Sequence, residues 1–251
     1  MKKVNLVVFI FLAGLLSSCA KDRYGIRSIE ASRIEINSDW DAKANPQMVA
    51  LVESYKTKLD AEMDVPVGTA AQTLESGYPQ SLLSNFTADA IKETAEKLWG
   101  NVDFAVMNNG GLRSSLNKGP ITVRSMFEIY SFDNRLVLLE LPGKAVKEFF
   151  DFIAFHGGQG LSKDIHIVAK KREVESLEIG GKPLDENKTY RVATIDYLAE
   201  GNDGMVAFRQ SVNVLDSNET LRDVMIQYVK NLTSNNQEAN ATLDTRITII
   251  N

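Results

Sequence analysis

The chain has 251 residues, 44% of them hydrophobic, and this length and apolar content suit one globular domain with a sizeable core. Its formal charge of −5, without a block of basic residues, argues against nucleic-acid binding, which requires phosphate neutralisation. The single cysteine, Cys19, excludes a disulfide within the chain.

The N-terminus has the pattern of a secretory signal. Lys2 and Lys3 precede an apolar run over residues 6–16, which is shorter than the roughly 20 residues of a transmembrane helix. The sequence L-S-S-C at residues 16–19 resembles a bacterial lipobox. We therefore expect residues 1–18 to be removed and Cys19 to be acylated, which would anchor the protein to a membrane of the bacterial cell envelope, facing the periplasm or the exterior. A buried N-terminal helix with an incidental cysteine is the alternative.

The remaining elements alternate between helices and strands. We expect a tether over residues 19–45 and then one domain over residues 46–251. Hydrophobic periodicity predicts helices at residues 46–60, 84–99, 143–155 and 219–232. Strands are predicted at residues 63–71, 104–107, 136–141, 165–168, 190–194 and 245–250, and Gly180-Gly181 predicts a hairpin turn. This alternation predicts a mixed α/β fold in which helices pack on layered sheets.

Residues 106–142 contain candidate binding residues. A strand-like run ends in N-N-G-G at residues 108–111, and Arg113 follows. Two glycines after a strand permit a close backbone approach, and an arginine offers a planar charged fork to a phosphate or carboxylate. Phe132 and Asn134 add an aromatic face and an amide. By themselves these residues fit a polar small-molecule site, but also a tight turn with a surface arginine and a core phenylalanine.

Three ordered blocks of sequence resemble the C-terminal domain of the 5′-nucleotidase family. They are N-N-G-G-L-R at residues 108–113, S-F-D-N-R-L-V-L-L-E-L-P-G-K-A-V at 131–146, and T-Y-R-V-A-T-I-D-Y-L-A-E-G-N-D-G at 189–204. The resemblance extends from about Leu74 to L-D-T-R-I at residues 243–247. It implies the layered α/β fold of that domain and its role in binding the substrate.

The resemblance also implies roles for individual residues. Phe132 and Tyr197 would stack on the two faces of a purine base, Asp203 would bind the ribose hydroxyls, and Asn134 would read the base edge. From the residues alone, core packing of Tyr197 and a plain turn at residues 202–204 remain alternatives. The family usually has arginines just before the helix predicted at residues 84–99, whereas residues 74–80 contain none. The expected substrate-binding set is Asn109, Gly110, Gly111, Arg113, Phe132, Asn134, Gly160, Tyr197 and Asp203.

Catalysis in the family belongs to an N-terminal metallophosphatase domain that holds two metal ions. This chain has only two histidines, His156 and His166, and no D-x-H or G-N-H-E block. We therefore expect no catalytic residue, metal site or cofactor in this chain, and divalent metals only in a partner phosphatase. The resemblance implies the nucleotide-binding subunit of a split 5′-nucleotidase with a separate metallophosphatase chain. A non-catalytic nucleoside-binding lipoprotein and a scaffold lipoprotein are the alternatives.

Overall fold

A computed structural model describes residues 25–250, and the chain divides into two units between Val52 and Glu53. The first unit contains an irregular stretch over residues 25–37, a 3₁₀ helix at Ser38–Lys43, and the start of a long helix. The expected signal segment and the lipidation site at Cys19 lie outside the described residues. Among residues 25–250, no helix combines the length and the apolar content needed to cross a bilayer.

Helices and strands alternate from Pro46 onward. The helices are α1 (Pro46–Met63), α2 (Leu82–Trp99), α3 (Val123–Ile129), α4 (Gly143–His156), α5 (Asp196–Ala199) and α6 (Leu221–Ser234). The strands are β1 (Pro66–Ala70), β2 (Phe104–Met107), β3 (Gly119–Thr122), β4 (Arg135–Pro142), β5 (Gly160–Leu161), β6 (Ile165–Lys170), β7 (Glu173–Ile179), β8 (Lys182–Pro183), β9 (Thr189–Ile195), β10 (Asn213–Thr220) and β11 (Ile247–Ile250). The mixed α/β fold expected from the sequence is confirmed.

In the described part of the chain the strands form three sheets. The largest has the order β10-β4-β9-β2-β5, in which β2 and β9 run parallel and the other neighbours are antiparallel. The second has the order β11-β6-β7-β8, with β11 parallel to β6. Strands β1 and β3 form a separate antiparallel pair. The predicted strands thus belong to more than one layer.

The core forms where α2 and α4 pack on these sheets. Ser81 caps α2 by accepting a hydrogen bond from the Ser84 amide, and the Ser81 amide donates one to the Ser84 hydroxyl, so the helix begins at a defined residue. In α4, Phe149 and Phe150 are buried and pack against Phe104 of β2 with ring centroids 6.3 and 5.5 Å apart. Each such burial contributes about 1.5–3 kcal/mol.

The order of the largest sheet brings three loops to one edge. Because β2 and β9 are parallel, the turn after β2 and the segment after β9 leave the sheet on the same side. The antiparallel register pairs Leu136, at the start of β4, with Ile195, at the end of β9. The loop before β4 therefore lies at that edge too, and residues far apart in sequence meet there.

Several predicted boundaries need correction. The strand predicted at residues 63–71 is limited to Pro66–Ala70, because α1 continues to Met63. The predicted helix at 219–232 begins at Leu221, because Thr220 caps it by accepting from the Asp223 amide, and it ends at Ser234. Helix α1 shows the expected helical conformation, but it buries none of its residues.

Arg246 ties the C-terminal segment to the core. Its side chain is almost fully buried and pairs with Asp89 of α2 at 3.2 Å and with Asp244 at 2.7 Å. It also donates a 2.6 Å hydrogen bond to the Leu161 carbonyl in β5. Burial alone acts to lower the pKa of Arg246, but hydrogen bonds and charge interactions with the two aspartates outweigh it and raise the pKa. The arginine is therefore a buried charge with its partners in place.

Candidate functional site

A pocket of about 340 Å³ lies at the edge of the largest sheet where the three loops meet. The turn after β2, the loop before β4 and the segment after β9 all contribute to its wall. Its lining residues are Asn108, Gly110, Gly111, Arg113, Phe132, Asn134, Tyr197 and Asp203. Concave sites with a few convergent polar groups and aromatic rings are the usual form of small-molecule sites.

The turn after β2 provides one wall of the pocket. Residues Asn109–Gly111 form a short 3₁₀ turn, which the Leu112 amide closes by donating to the Asn109 carbonyl. The Arg113 amide donates to the Ile129 carbonyl at 3.0 Å, so α3 holds the end of the turn. The Arg113 guanidinium is exposed and makes a 3.3 Å hydrogen bond to the Gly110 carbonyl.

A polar network fixes Asp203 at the pocket. The Tyr197 hydroxyl donates to one carboxylate oxygen of Asp203 at 2.9 Å, and the Asn108 amide donates to the other at 2.5 Å. The hydrogen bond to Asp203 raises the pKa of Tyr197, because an ionised tyrosine cannot donate to a carboxylate. Asn108 is 3% exposed, and its side-chain oxygen has no hydrogen-bond partner in the described structure.

The backbone around Asp203 is strained in a way that favours this arrangement. Asp203 has φ 51° and ψ 30°, a left-handed conformation that aspartate tolerates better than most residues do. Gly204 follows with φ 81°, and a Cβ there would lie 2.4 Å from the Phe152 ring. Because only glycine fits at position 204, the turn can pack closely on α4 while Asp203 faces the pocket.

Two aromatic rings line the pocket without being covered. Phe132 is 51% exposed and Tyr197 is 38% exposed, although both are large apolar side chains. Phe132 lies in the loop before β4, and Tyr197 lies in α5. Such rings offer flat faces on which a planar ligand can stack.

Helix α6 holds the loop that carries Phe132. Arg222 pairs with Asp133 at 2.5 Å and donates a 3.1 Å hydrogen bond to the Tyr130 carbonyl. Its guanidinium also lies 4.0 Å from the centroid of the Phe127 ring. One partly buried arginine thus contacts residues on both sides of Phe132, so Phe132 is presented by an anchored segment.

The same helix positions Asn134. The Leu221 amide, at the first turn of α6, donates a 2.7 Å hydrogen bond to the Asn134 carbonyl. Asn134 is thereby placed at the start of β4, at the pocket wall.

Seven of the nine residues expected to bind a substrate line this pocket, and two do not. The exceptions are Asn109 and Gly160. Asn109 turns away and donates a 3.0 Å hydrogen bond to the Gly77 carbonyl. Gly160 lies in β5, where a Cβ would come within 2.8 Å of the Met107 carbonyl oxygen, so it serves close packing of the sheet. The seven lining residues are Gly110, Gly111, Arg113, Phe132, Asn134, Tyr197 and Asp203.

Sequence reasoning missed Asn108, the buried neighbour of Asn109. The two asparagines are adjacent in N-N-G-G, and the 3₁₀ turn directs one toward Asp203 and the other toward Gly77. The available signal is the position of Asn108 directly after the buried strand β2. Side chains of a strand point alternately to its two faces, and the first residue past the strand continues this alternation.

Comparisons with known proteins identify the family to which this fold belongs. The family model of the 5′-nucleotidase C-terminal domain matches residues 61–210, which is more than half of the chain. The chain belongs to that family. A crystal structure of a 5′-nucleotidase precursor from Thermus thermophilus superposes with a TM-score of 0.70 at 25% identity, covering 80% of this chain and 42% of that one. The resemblance seen in the sequence blocks is thereby confirmed.

The relatives are longer than this chain. Protein UshA of Yersinia enterocolitica is 28% identical over 190 residues, which covers 74% of this chain and 34% of the relative. A 5′-nucleotidase of Vibrio vulnificus is 27% identical over 184 residues, covering 70% of this chain and 32% of the relative. The chain therefore spans about a third of the length of these relatives.

The described residues offer few groups for metal chemistry. Within residues 25–250, no cluster of three or more histidine, cysteine, aspartate or glutamate side chains has the geometry to hold a metal ion. His156 stacks on Phe152 with ring centroids 4.0 Å apart, and His166 lies in β6 near Thr245.

Proposed function

We propose that this chain binds the nucleoside part of a nucleotide or nucleoside in the pocket. The observation that carries the proposal is the pair of uncovered rings, Phe132 and Tyr197, beside the fixed carboxylate of Asp203. A purine stacks on these rings, and base stacking on an aromatic side chain contributes roughly 1–3 kcal/mol. Membership of the 5′-nucleotidase C-terminal domain family supports the proposal.

Hydrogen bonds then orient the bound nucleoside. Asp203 is an acceptor whose direction is set by Tyr197 and Asn108, so it suits the two vicinal hydroxyls of a ribose. Asn134 can both donate to and accept from a base edge, because an amide side chain carries both functions. Arg113 is the one positive side chain among the lining residues that a phosphate can reach.

We further propose that the chain acts in nucleotide catabolism as the binding subunit of a split 5′-nucleotidase. In this proposal, phosphoester hydrolysis and the divalent metals belong to a separate metallophosphatase chain, and acylated Cys19 holds the subunit at the bacterial cell envelope. The proposal draws on membership of the 5′-nucleotidase C-terminal domain family. Two measurements test it: a metallophosphatase should copurify with this chain, and nucleotidase activity should appear only when both chains are present. Nucleoside binding without such a partner would instead support a non-catalytic binding lipoprotein.

The binding proposal is tested with Phe132→Ala in the full chain. We expect adenosine to bind the native protein and to raise its melting temperature, and we expect Phe132→Ala to weaken binding by at least fivefold through loss of stacking. Phe155→Ala is the matched control, because Phe155 is equally exposed at 54% and lies outside the pocket. Calorimetric titration measures the adenosine affinity of both variants. Equal affinity of Phe132→Ala and the native protein would contradict stacking on Phe132.

A further inference from the structure

The charges that line the pocket sum to zero. Arg113 is the only lining residue with a positive side chain, and Asp203 is the only one with a negative side chain. The six others are glycines, asparagines and aromatic residues. The pocket thus differs from a phosphate site, in which several donors and cations converge on one anion.

Asp203 has no positively charged partner among the described residues. Its two hydrogen-bond donors among the described residues are the Tyr197 hydroxyl and the Asn108 amide, and both are neutral groups. Neither donor brings a positive charge to the carboxylate, so the Asp203 side chain offers no attraction to a second anion that approaches it.

Arg113 attracts an anionic ligand only weakly. Its guanidinium is exposed, and within residues 25–250 it donates one hydrogen bond, to the Gly110 carbonyl. An exposed ion pair contributes at most about a fivefold gain in affinity. The segment of residues 74–80, which approaches the turn through the bond from Asn109 to Gly77, adds Glu75 and no positive side chain.

We infer that the pocket recognises the uncharged nucleoside and gains no more than fivefold in affinity from a 5′-phosphate. A phosphate monoester carries about −1.5 to −2 charges at pH 7, whereas the pocket offers one exposed arginine beside a carboxylate. The remaining lining groups fit a base and a ribose. The inference rests on the proposed function and specifies the part of the ligand that this chain reads.

The test compares four compounds by calorimetric titration of the full chain in 0.15 M salt: adenosine, AMP, ADP and ribose 5-phosphate. We expect the Kd values of AMP and ADP to be no less than about one fifth of that of adenosine. Ribose 5-phosphate, which has the phosphate and the ribose but no base, should not bind at 1 mM. Raising the salt concentration to 0.5 M should change the adenosine Kd by less than twofold, because no ion pair is formed.

Distinct results would overturn the inference and the proposed function. The inference would be overturned if AMP bound more than fivefold tighter than adenosine and lost this advantage in Arg113→Gln or at high salt. Nucleotide binding itself would then remain intact. Binding of ribose 5-phosphate as tightly as AMP would also overturn the inference. Failure of adenosine, AMP and ADP alike to bind would overturn the proposed function itself.

Discussion

At the scale of single residues, Asp203 is the point on which the pocket depends. It accepts from Tyr197 and Asn108, and its left-handed backbone directs it between them. Both of its oxygens are used, so neither donor is left without a partner. A residue in this position acts as an oriented acceptor, and any change in the number of its lone pairs disturbs two neighbours at once.

Replacing Asp203 by asparagine tests this role. The amide places a donor against either the Tyr197 hydroxyl or the Asn108 amide, so we expect adenosine affinity to fall at least tenfold, since a hydrogen bond to a charged group contributes about 1.5–3 kcal/mol. The melting temperature should change little, because Asp203 is exposed. The control is Asp41→Asn, an exposed aspartate in the first unit. A tenfold loss in the control, or none in Asp203→Asn, would contradict the assignment.

The same variant changes the titration of Tyr197. In the native protein the hydrogen bond to Asp203 raises the pKa of Tyr197 above the ordinary value of about 10. The native tyrosine therefore keeps its proton to a higher pH than an ordinary tyrosine does, and in Asp203→Asn it should ionise at lower pH. Ultraviolet difference titration, with Tyr197→Phe to identify the signal, measures this shift.

The residues of the pocket were partly predictable. Phe132, Tyr197 and Asp203 were found because their spacing in ordered blocks resembles the family, and the structure brings them together. The sequence predicts Asn109 rather than Asn108, because the one signal for Asn108, its position directly after β2, does not fix the direction of its side chain in the 3₁₀ turn. That choice depends on partners far along the chain, Asp203 for one and Gly77 for the other.

At the scale of elements, helix α6 supports the pocket from outside. Arg222 in its first turn pairs with Asp133, and Leu221 bonds to Asn134, so one helix terminus holds the whole loop before β4. The two side chains of this ion pair differ in solvent exposure: the Arg222 side chain is 11% exposed and the Asp133 side chain is 79% exposed. Removing the charge on the exposed partner therefore changes the loop more than it changes the core.

Asp133→Asn is the variant that separates these effects. We expect adenosine affinity to fall about three- to tenfold, because Phe132 is no longer held by an ion pair, while the free energy of unfolding changes by no more than about 1 kcal/mol. Asp64→Asn is the control, since Asp64 also pairs with an arginine, Arg124, but does not line the pocket. Titration calorimetry and urea unfolding measure the two quantities. Unchanged affinity in Asp133→Asn would show that the ion pair does not position the loop.

The long elements were predictable and the short ones were not. The helix predicted at residues 84–99 is found at Leu82–Trp99, and that at 143–155 at Gly143–His156, because apolar stripes and helix ends leave a clear pattern. Helices α3 and α5 have seven and four residues, which is too short for a helical period to be recognised. Thr122 caps α3, whereas α5 has no side-chain cap and packs against β4 and β9.

At the scale of the whole molecule, the second unit is closed by its last described strand. β11 pairs with β6, and Arg246 just before it contacts α2 and β5. Segments separated by more than 150 residues are thereby joined across the sheets. The family resemblance predicted the L-D-T-R-I block, but the network made by its arginine follows only from the three-dimensional arrangement.

Arg246→Met should destabilise the second unit by about 3–5 kcal/mol, because it leaves the buried carbonyl of Leu161 and the carboxylate of Asp89 without their main partner. Urea unfolding followed by circular dichroism measures the loss. Lys58→Met, on the exposed helix α1, is the control and should change stability by less than about 0.5 kcal/mol. A loss below 1 kcal/mol in Arg246→Met would indicate that Asp89 and Leu161 are satisfied without it.

The position of Arg246 along the chain has a consequence for biosynthesis. A protein emerges from the ribosome N-terminal end first, so α2, β5 and β6 are made long before Arg246 and β11. Until these residues have been translated, the edge of β6 lacks its partner strand β11, and the carbonyl of Leu161 lacks its hydrogen bond from Arg246. Premature termination between β6 and Arg246 thus yields a product with an open sheet edge, which cellular proteases can distinguish from the complete protein.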